Sequence, residues 1–442
     1  MAASALGRLL RTRRFVPFFL TQALGAFNDN VFKQAIILAI LFKLNLAEGL
    51  WGWQPDTHML VNLCALLFIL PFFLFSALGG QLGEKLPKDS LIRALKNFEV
   101  ALMLLGAYAV INAHLPLMLA ILFAMGMQSA LFGPVKYSIL PQHLTAQELL
   151  AGNAWVELGT FVAILSGTLL AGVLLSLNAY QYWVAGAVLV VALLGLAASW
   201  QIPYAAPSAA HIRIDKNIFG QSWRILKLGF AQVRMVRVAL LANAWFWFLG
   251  TTYLTQIPSY AKDFLGGDES VATLILAVFS VGVAAGSLIC ERISGGQVKA
   301  FPVALGALGL SFCGIVLWWL TSQFMIVPES RWLDVLSSSA GVLILLDIAA
   351  LGLFGGCYIV PLYALIQSKT PAPERTRVVA ANNILNAFLM VLAAVFGMFV
   401  LSYLALSVPA LFLLVSLIGL GVNAWLFYLE PAFIGLTSKP RP

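Results

Sequence analysis

Phe15-Val16-Pro17-Phe18-Phe19-Leu20 and Ala35-Ile36-Ile37-Leu38-Ala39-Ile40-Leu41-Phe42 are the two apolar arms of one helix-length run. Between them lies Phe27-Asn28-Asp29-Asn30-Val31-Phe32-Lys33-Gln34, which sets a carboxylate, an ammonium and three amides near the middle of the run. The arms read as a membrane-spanning helix, since about 20 mainly apolar residues cross a bilayer. A charge at that depth costs about 2.5–3.5 kcal/mol on insertion scales, so such groups face a cavity or a partner. The cluster is therefore both the start of the fold and the first place to look for function.

The rest of the chain agrees with a lipid solvent. Of 442 residues 61% are hydrophobic and 10% charged, with mean hydropathy +0.93, against about 25% charged in soluble domains. Apolar runs bounded by Pro, Gly and charges predict twelve spans, at 15–43, 58–82, 90–111, 116–138, 148–176, 179–202, 236–261, 269–290, 300–321, 339–366, 375–402 and 406–429. The expected fold class is an all-α polytopic membrane protein. Its predicted parts are an N-terminal six-helix bundle (1–202), a basic linker (203–235) and a C-terminal six-helix bundle (236–442).

Positive charge orients the spans. Twenty-two of the 26 basic residues fall on the side of the N-terminus, among them Arg8, Arg11, Arg13, Arg14, Lys85, Lys88, Arg93 and Lys96. Only Lys43, Lys262 and Arg331 fall opposite, and Lys33 lies within the membrane. Both termini are thus expected in the cytoplasm, and the +8 net charge is a topology signal that calls for no nucleic-acid partner. In the linker, Ile218, Phe219, Trp223, Leu226 and Phe230 interleave with Arg224, Lys227 and Arg234. This reads either as a short helix on the inner leaflet or as a plain basic connector.

Features recur between the halves, as in transporters built from parallel repeats. Gly80-Gln81-Leu82-Gly83-Glu84-Lys85 after span 2 matches Gly286-Ser287-Leu288-Ile289-Cys290-Glu291-Arg292 after span 8. Pro134 and Pro361 mark spans 4 and 10, and each is followed about 20 residues later by amides, Asn153 in one half and Asn382 with Asn383 in the other. With these motifs the chain resembles the major facilitator superfamily over nearly its full length. Glu84 replaces the usual Asp of that superfamily's loop signature. The resemblance implies a cytoplasmic latch, with Glu84, Lys85, Glu291 and Arg292 as gating residues and Lys85 or Lys88 as partner of Glu84.

Phe27-Asn28-Asp29-Asn30 further resembles the Phe-x-Asp-Asn signature of the bacterial lysophospholipid transporter (LplT) family. Lys33, the Trp245–Gly250 run and the Gly266-Gly267-Asp268-Glu269 loop are similar to the transporter domain found fused to acyltransferase and acyl-carrier-protein synthetase modules. The resemblance implies a flippase of the bacterial inner membrane that moves a lysophosphatidylethanolamine-like lipid inward by alternating access. A separate acyltransferase or synthetase would then re-acylate it. Asp29 and Lys33, four residues apart, share a helix face. They read as an ion pair neutralising itself, as receptors for a headgroup ammonium and phosphate, or, at Asp29, as a proton-coupling site.

The remaining substrate-binding candidates are Asn28, Asn30, Gln128, Asn153, Glu157, Asn243, Tyr253, Gln256, Asp347 and Asn383, all in spans that line or flank the superfamily's cavity. Glu99 is expected to be solvated near the end of span 3. Trp245, Phe246, Trp247 and Phe248 read as interfacial anchors or as lining for an acyl tail, and Gly167, Gly172, Gly282, Gly286 and Gly397 as close helix contacts. Proton-coupled efflux of amphipathic drugs or siderophores is the alternative function. No metal or cofactor is expected, since Cys64, Cys290, Cys313 and Cys357 are scattered in apolar runs. No catalytic residue is expected either. His143-Leu144-Thr145-Ala146-Gln147-Glu148 has the spacing of an acyltransferase His-x4-Asp motif but carries Glu in the last position.

Overall fold

The computed structural model describes residues 5–44, 57–215, 217–295, 297–323 and 330–435; the expected topology cations Lys216, Lys439 and Arg441 lie outside them. Among the described residues twelve helices have 20 residues or more. Spans 1 to 6 are Val16–Phe42, Thr57–Lys85, Lys88–Ile111, Leu115–Ser138, Leu149–Ser176 and Tyr180–Ser199. Spans 7 to 12 are Arg234–Leu265, Glu269–Ser294, Phe301–Gln323, Ser339–Lys369, Arg375–Met398 and Val408–Leu429. An all-helical solution follows from the solvent, because lipid offers no partner to backbone N–H and C=O groups.

Ten described helices are long and apolar enough to cross a membrane. Spans 1 and 7 have the length but carry polar side chains through their middles, Asn28 to Lys33 in one and Asn243 to Gln256 in the other. Helix ends follow ordinary capping chemistry. Proline enters the first turn of spans 1, 4 and 12. Span 7 stops at Gly266, whose φ of +63° only glycine adopts freely. Two residues on, the Asp268 carboxylate accepts the Ser270 N–H at 2.8 Å and opens span 8. The Ser270 hydrogen bonds hold the Asp268 carboxyl below its usual range. Span 11 continues into a π-helical turn, Phe399–Tyr403.

The chain groups into two compact units. The first comprises Met1–Thr145, Val162–Gly229 and Pro371–Ile384; the second comprises Ala146–Phe161, Phe230–Thr370 and Leu385–Pro442. The first unit thus draws the opening turns of span 11 from the second half of the sequence, and the second draws the opening turns of span 5 from the first half.

The repeat is visible in how helices pack. In the second unit, a Cβ at Gly282 would lie 2.2 Å from the Ala349 carbonyl oxygen, and one at Gly286 1.9 Å from that of Leu353. Facing them, Cβ atoms at Gly352 and Gly356 would meet Phe279 O at 2.3 Å and Ser287 N at 2.5 Å. Spans 8 and 10 therefore touch backbone to backbone through two glycine pairs at four-residue spacing. In the first unit spans 2 and 4 meet likewise, with Gly79 against Leu131 O (2.8 Å) and Gly126 against Phe68 O (2.5 Å). Gly167 presses span 5 onto span 1, 2.7 Å from Phe27 O and 3.2 Å from the Asn30 Cβ by the same construction. Gly172 and Gly397, expected to do the same, face open space. Gly286→Leu is expected to force spans 8 and 10 apart at a cost of about 3 kcal/mol or more. A clear fall in the thermal midpoint of purified protein checks this; an unchanged midpoint would contradict the contact.

Three of the four aromatics from Trp245 to Phe248 pack inside the second unit, and Trp247 is half-buried. Trp245, Phe246 and Phe248 are buried, with Trp245 stacked on Phe248 at 4.9 Å and Phe246 on Tyr358 at 6.1 Å.

Candidate functional site

In the first unit, span 1 delivers its polar face to spans 3 and 4. Asp29, 9% exposed, accepts a hydrogen bond from the Ser129 hydroxyl of span 4 at 2.6 Å. Four residues along, the Lys33 ammonium donates to the Asn30 side-chain oxygen at 3.0 Å and lies 5.1 Å above the Phe68 ring of span 2. Asn30 in turn donates to the Ala26 carbonyl at 2.7 Å. Among the ion pairs of the described residues none joins Asp29 to Lys33. Each of the two side chains is held by a neutral group, Asp29 by Ser129 and Lys33 by Asn30.

Behind this face sits a second charged cluster. Lys96 and Glu99 form a 2.6 Å ion pair with both side chains buried. Glu99 also accepts from Asn28 at 3.3 Å and from Gln128 at 3.3 Å, and Gln128 accepts from Ser129 at 3.3 Å. One continuous network therefore runs Lys96–Glu99–Gln128–Ser129–Asp29, with Asn28 joined at Glu99. This corrects the expectation of a solvated Glu99. It also shows that Lys96 is an interior ion-pair partner, although it was counted as a loop cation. Lys88 is buried too, donating to the Ser208 hydroxyl at 3.2 Å.

The other candidates are distributed as follows. Asn383 lies in the first unit, packed so closely on Gly133 that a Cβ there would meet its amide nitrogen at 2.5 Å. Asn153, Glu157, Asn243, Tyr253, Gln256 and Asp347 lie in the second unit. There Asn153 and Gln367 exchange two 2.8 Å amide hydrogen bonds, both fully buried, so Asn153 has little left to offer a ligand. Tyr253 meets the Ser416 hydroxyl at 3.0 Å, inside the helix packing. Asp347 is buried near Cys313 and keeps one carboxylate oxygen without a hydrogen-bond partner. Glu157 and Asn243 are buried, and Gln256 is half-buried.

The loop after span 2 is arranged differently from the expected Glu84–Lys85 or Glu84–Lys88 pairing. The fully buried Glu84 carboxylate receives the Arg377 guanidinium at 2.6 Å and the Arg377 backbone N–H at 3.1 Å. It thereby caps the first turn of span 11, where the helix dipole favours an anion. Lys85 is half-buried, Glu291 buried and Arg292 exposed, and among the described residues none of the three forms an ion pair. Ser129, Lys96, Glu99 and Arg377 are the participants that sequence reading missed. The 96/99 spacing on one helix was the available signal for the ion pair.

Span 1 thus carries a buried acidic side chain and a half-buried lysine four residues apart on one helix face, each hydrogen-bonded to a neutral side chain. The profile of the Major Facilitator Superfamily matches residues 18–394. Lysophospholipid transporter LplT of Photorhabdus laumondii is 27% identical over 381 residues, covering 83% of each chain. That of Cronobacter sakazakii is 27% identical over 379 residues, covering 81% of each. Among solved structures, the human organic anion transporter MFSD10 superposes with a TM-score of 0.74 at 12% identity, covering 94% of this chain and 98% of its own. The Escherichia coli fucose:proton symporter FucP does so at 0.68 and 13%, covering 95% and 100%. Twelve long helices, a repeated packing scheme and a profile match over most of its length establish that the chain belongs to the major facilitator superfamily.

Proposed function

We propose that this protein is a secondary transporter that moves lysophospholipid across the bacterial inner membrane by alternating access, with both termini in the cytoplasm. The observation that carries the reading is the pairing of Asp29 with Ser129 and of Lys33 with Asn30, in place of a bond between the two charges. A lysophosphatidylethanolamine headgroup brings an ammonium to Asp29 and a phosphate to Lys33, and the displaced Ser129 and Asn30 are neutral groups that give way cheaply. The LplT relatives support the substrate class, which favours this reading over efflux of drugs or siderophores. An acyltransferase or acyl-carrier-protein synthetase is the proposed partner that re-acylates the product.

The Glu84–Arg377 bonds are the proposed clasp of one conformational state, standing where the Glu84 and Lys85 latch was expected; Glu291 and Arg292 mark the equivalent turn in the other half. Glu84→Gln removes the charge of a buried carboxylate bonded to a guanidinium. Such a bond is worth about 1.5–3 kcal/mol, so the clasped-to-open ratio should fall roughly tenfold or more. Thiol accessibility at an introduced Thr376→Cys, with and without the substitution, reads this directly; equal accessibility would dismiss the clasp.

The function itself is tested by uptake of labelled lysophosphatidylethanolamine into spheroplasts and into vesicles reconstituted with purified protein. Flux well above that of protein-free vesicles is expected. Its absence in both preparations would overturn the assignment.

A further inference from the structure

The linker helix Ile218–Ala231 has two faces of different character. Its inner face is anchored: Ile225 is buried and, with Leu226, packs on Phe73 and Ala77 of span 2 and on Ala380, Ala381 and Ile384 of span 11. The segment leading into it is also tied to span 2. Asp215 donates its backbone N–H to the Gln81 side-chain oxygen at 2.8 Å and forms an ion pair with Arg224. The outer face is bare. Phe219 and Trp223 are 69% and 61% exposed, and Lys227, next at the same four-residue spacing, sits 5.4 Å above the Trp223 ring. Two large aromatic rings in water are an unfavourable arrangement unless something covers them.

We propose that this face docks on anionic phospholipid in the membrane leaflet beside the ends of spans 2 and 11, and that docking tightens the Glu84–Arg377 clasp. The occupant follows from position and charge. The inner face fixes the helix to the ends of two membrane-crossing helices, which places its bare rings at the headgroup layer. There Phe219 and Trp223 enter the acyl boundary, while Lys227 meets lipid phosphate. The coupling follows from the footing. The same five apolar residues that hold the helix belong to the two spans that Glu84 and Arg377 join. Opening the clasp separates Ala77 from Ala380 and removes half of that footing, so a docked helix resists opening. The coupling rests on the clasp reading given above; the docking does not.

The experiment uses the full chain in vesicles of phosphatidylcholine alone or with one quarter phosphatidylglycerol. A nitroxide at Phe219→Cys reports depth, and the four native cysteines are buried, which directs labelling to the introduced thiol. Phosphatidylglycerol should move the label from water-exposed to lipid-exposed, and Lys227→Glu with Trp223→Ser should abolish the difference. A label that stays in water in both vesicles, or sits equally deep in both, overturns docking on anionic lipid. A second pair of nitroxides, at Leu86→Cys and Pro371→Cys, reports the clasp. Phosphatidylglycerol should raise the short-distance population at least threefold. Docking with no change in that distance overturns the coupling. Neither readout needs lysolipid flux, so a negative result is separate from any failure of the transport assignment.

Discussion

Asp29→Ala should cut lysophosphatidylethanolamine uptake by roughly tenfold to a hundredfold, the loss of a charged hydrogen bond worth about 1.5–3 kcal/mol. The substitution leaves the Ser129 hydroxyl without its 2.6 Å acceptor and a bound ammonium without a counter-charge. Substrate choice makes the prediction specific. Lysophosphatidylglycerol has a phosphate and no ammonium, so its uptake should suffer much less from Asp29→Ala. Lys33→Ala should impair both lipids, because both present phosphate to Lys33. Uptake and binding of the two lipids by the two variants give four comparisons. Wild-type rates in both variants, or equal losses of both lipids in Asp29→Ala, would remove the headgroup assignment while leaving transport itself intact.

Lys96→Met should be the most damaging single change to the fold. It strands the Glu99 carboxylate, buried and held only by the amides of Asn28 and Gln128. Removing one partner of a buried pair costs about 3–5 kcal/mol, a large share of a membrane protein's margin. Glu99→Met strands the Lys96 ammonium and should cost a similar amount. The double change Lys96→Met with Glu99→Met should recover most of the loss, because two apolar side chains need no counter-charge. Thermal midpoints of the four purified forms make a double-mutant cycle. Singles that match the wild type would show the pair to be solvated. The Gly25 and Gly195 positions argue against that, since a Cβ at either would lie 2.8 or 3.2 Å from the Lys96 nitrogen.

Much of this fold was legible because lipid imposes one rule on every span. Apolar runs between charges gave twelve spans whose ends fall within a few residues of the helices, as with 375–402 against Arg375–Met398. The glycine spacing of span 8 was legible too, since Gly282 and Gly286 have no other reason to sit four apart in a helix. Partners across helices were less so. Asp29 and Lys33 were recognisable as a pair from their spacing, but Ser129 lies 100 residues away and no periodicity points to it. Lys96 was misread for a clear reason. A lysine near a span end normally counts toward orientation, and only the packing of spans 1, 3 and 6 around it turns it inward. Arg377 escaped notice because it is 293 residues from Glu84, while Lys85 and Lys88 were close at hand.

Gly167 also bears on which headgroups the proposed site can come to accept. Span 5 meets span 1 there against the Phe27 carbonyl and the Asn30 Cβ, with no intervening side chain that a mutation could shorten. On that flank the polar cluster rests on main chain, and selection has nothing to trim. Elsewhere in the cluster, the Lys33 ammonium rests over Phe68, a ring that a single codon change can reduce to leucine. Variants selected for bulkier headgroups should therefore carry their changes at Phe68 and around it, with Gly167 left alone: the site has one evolvable wall and one fixed wall.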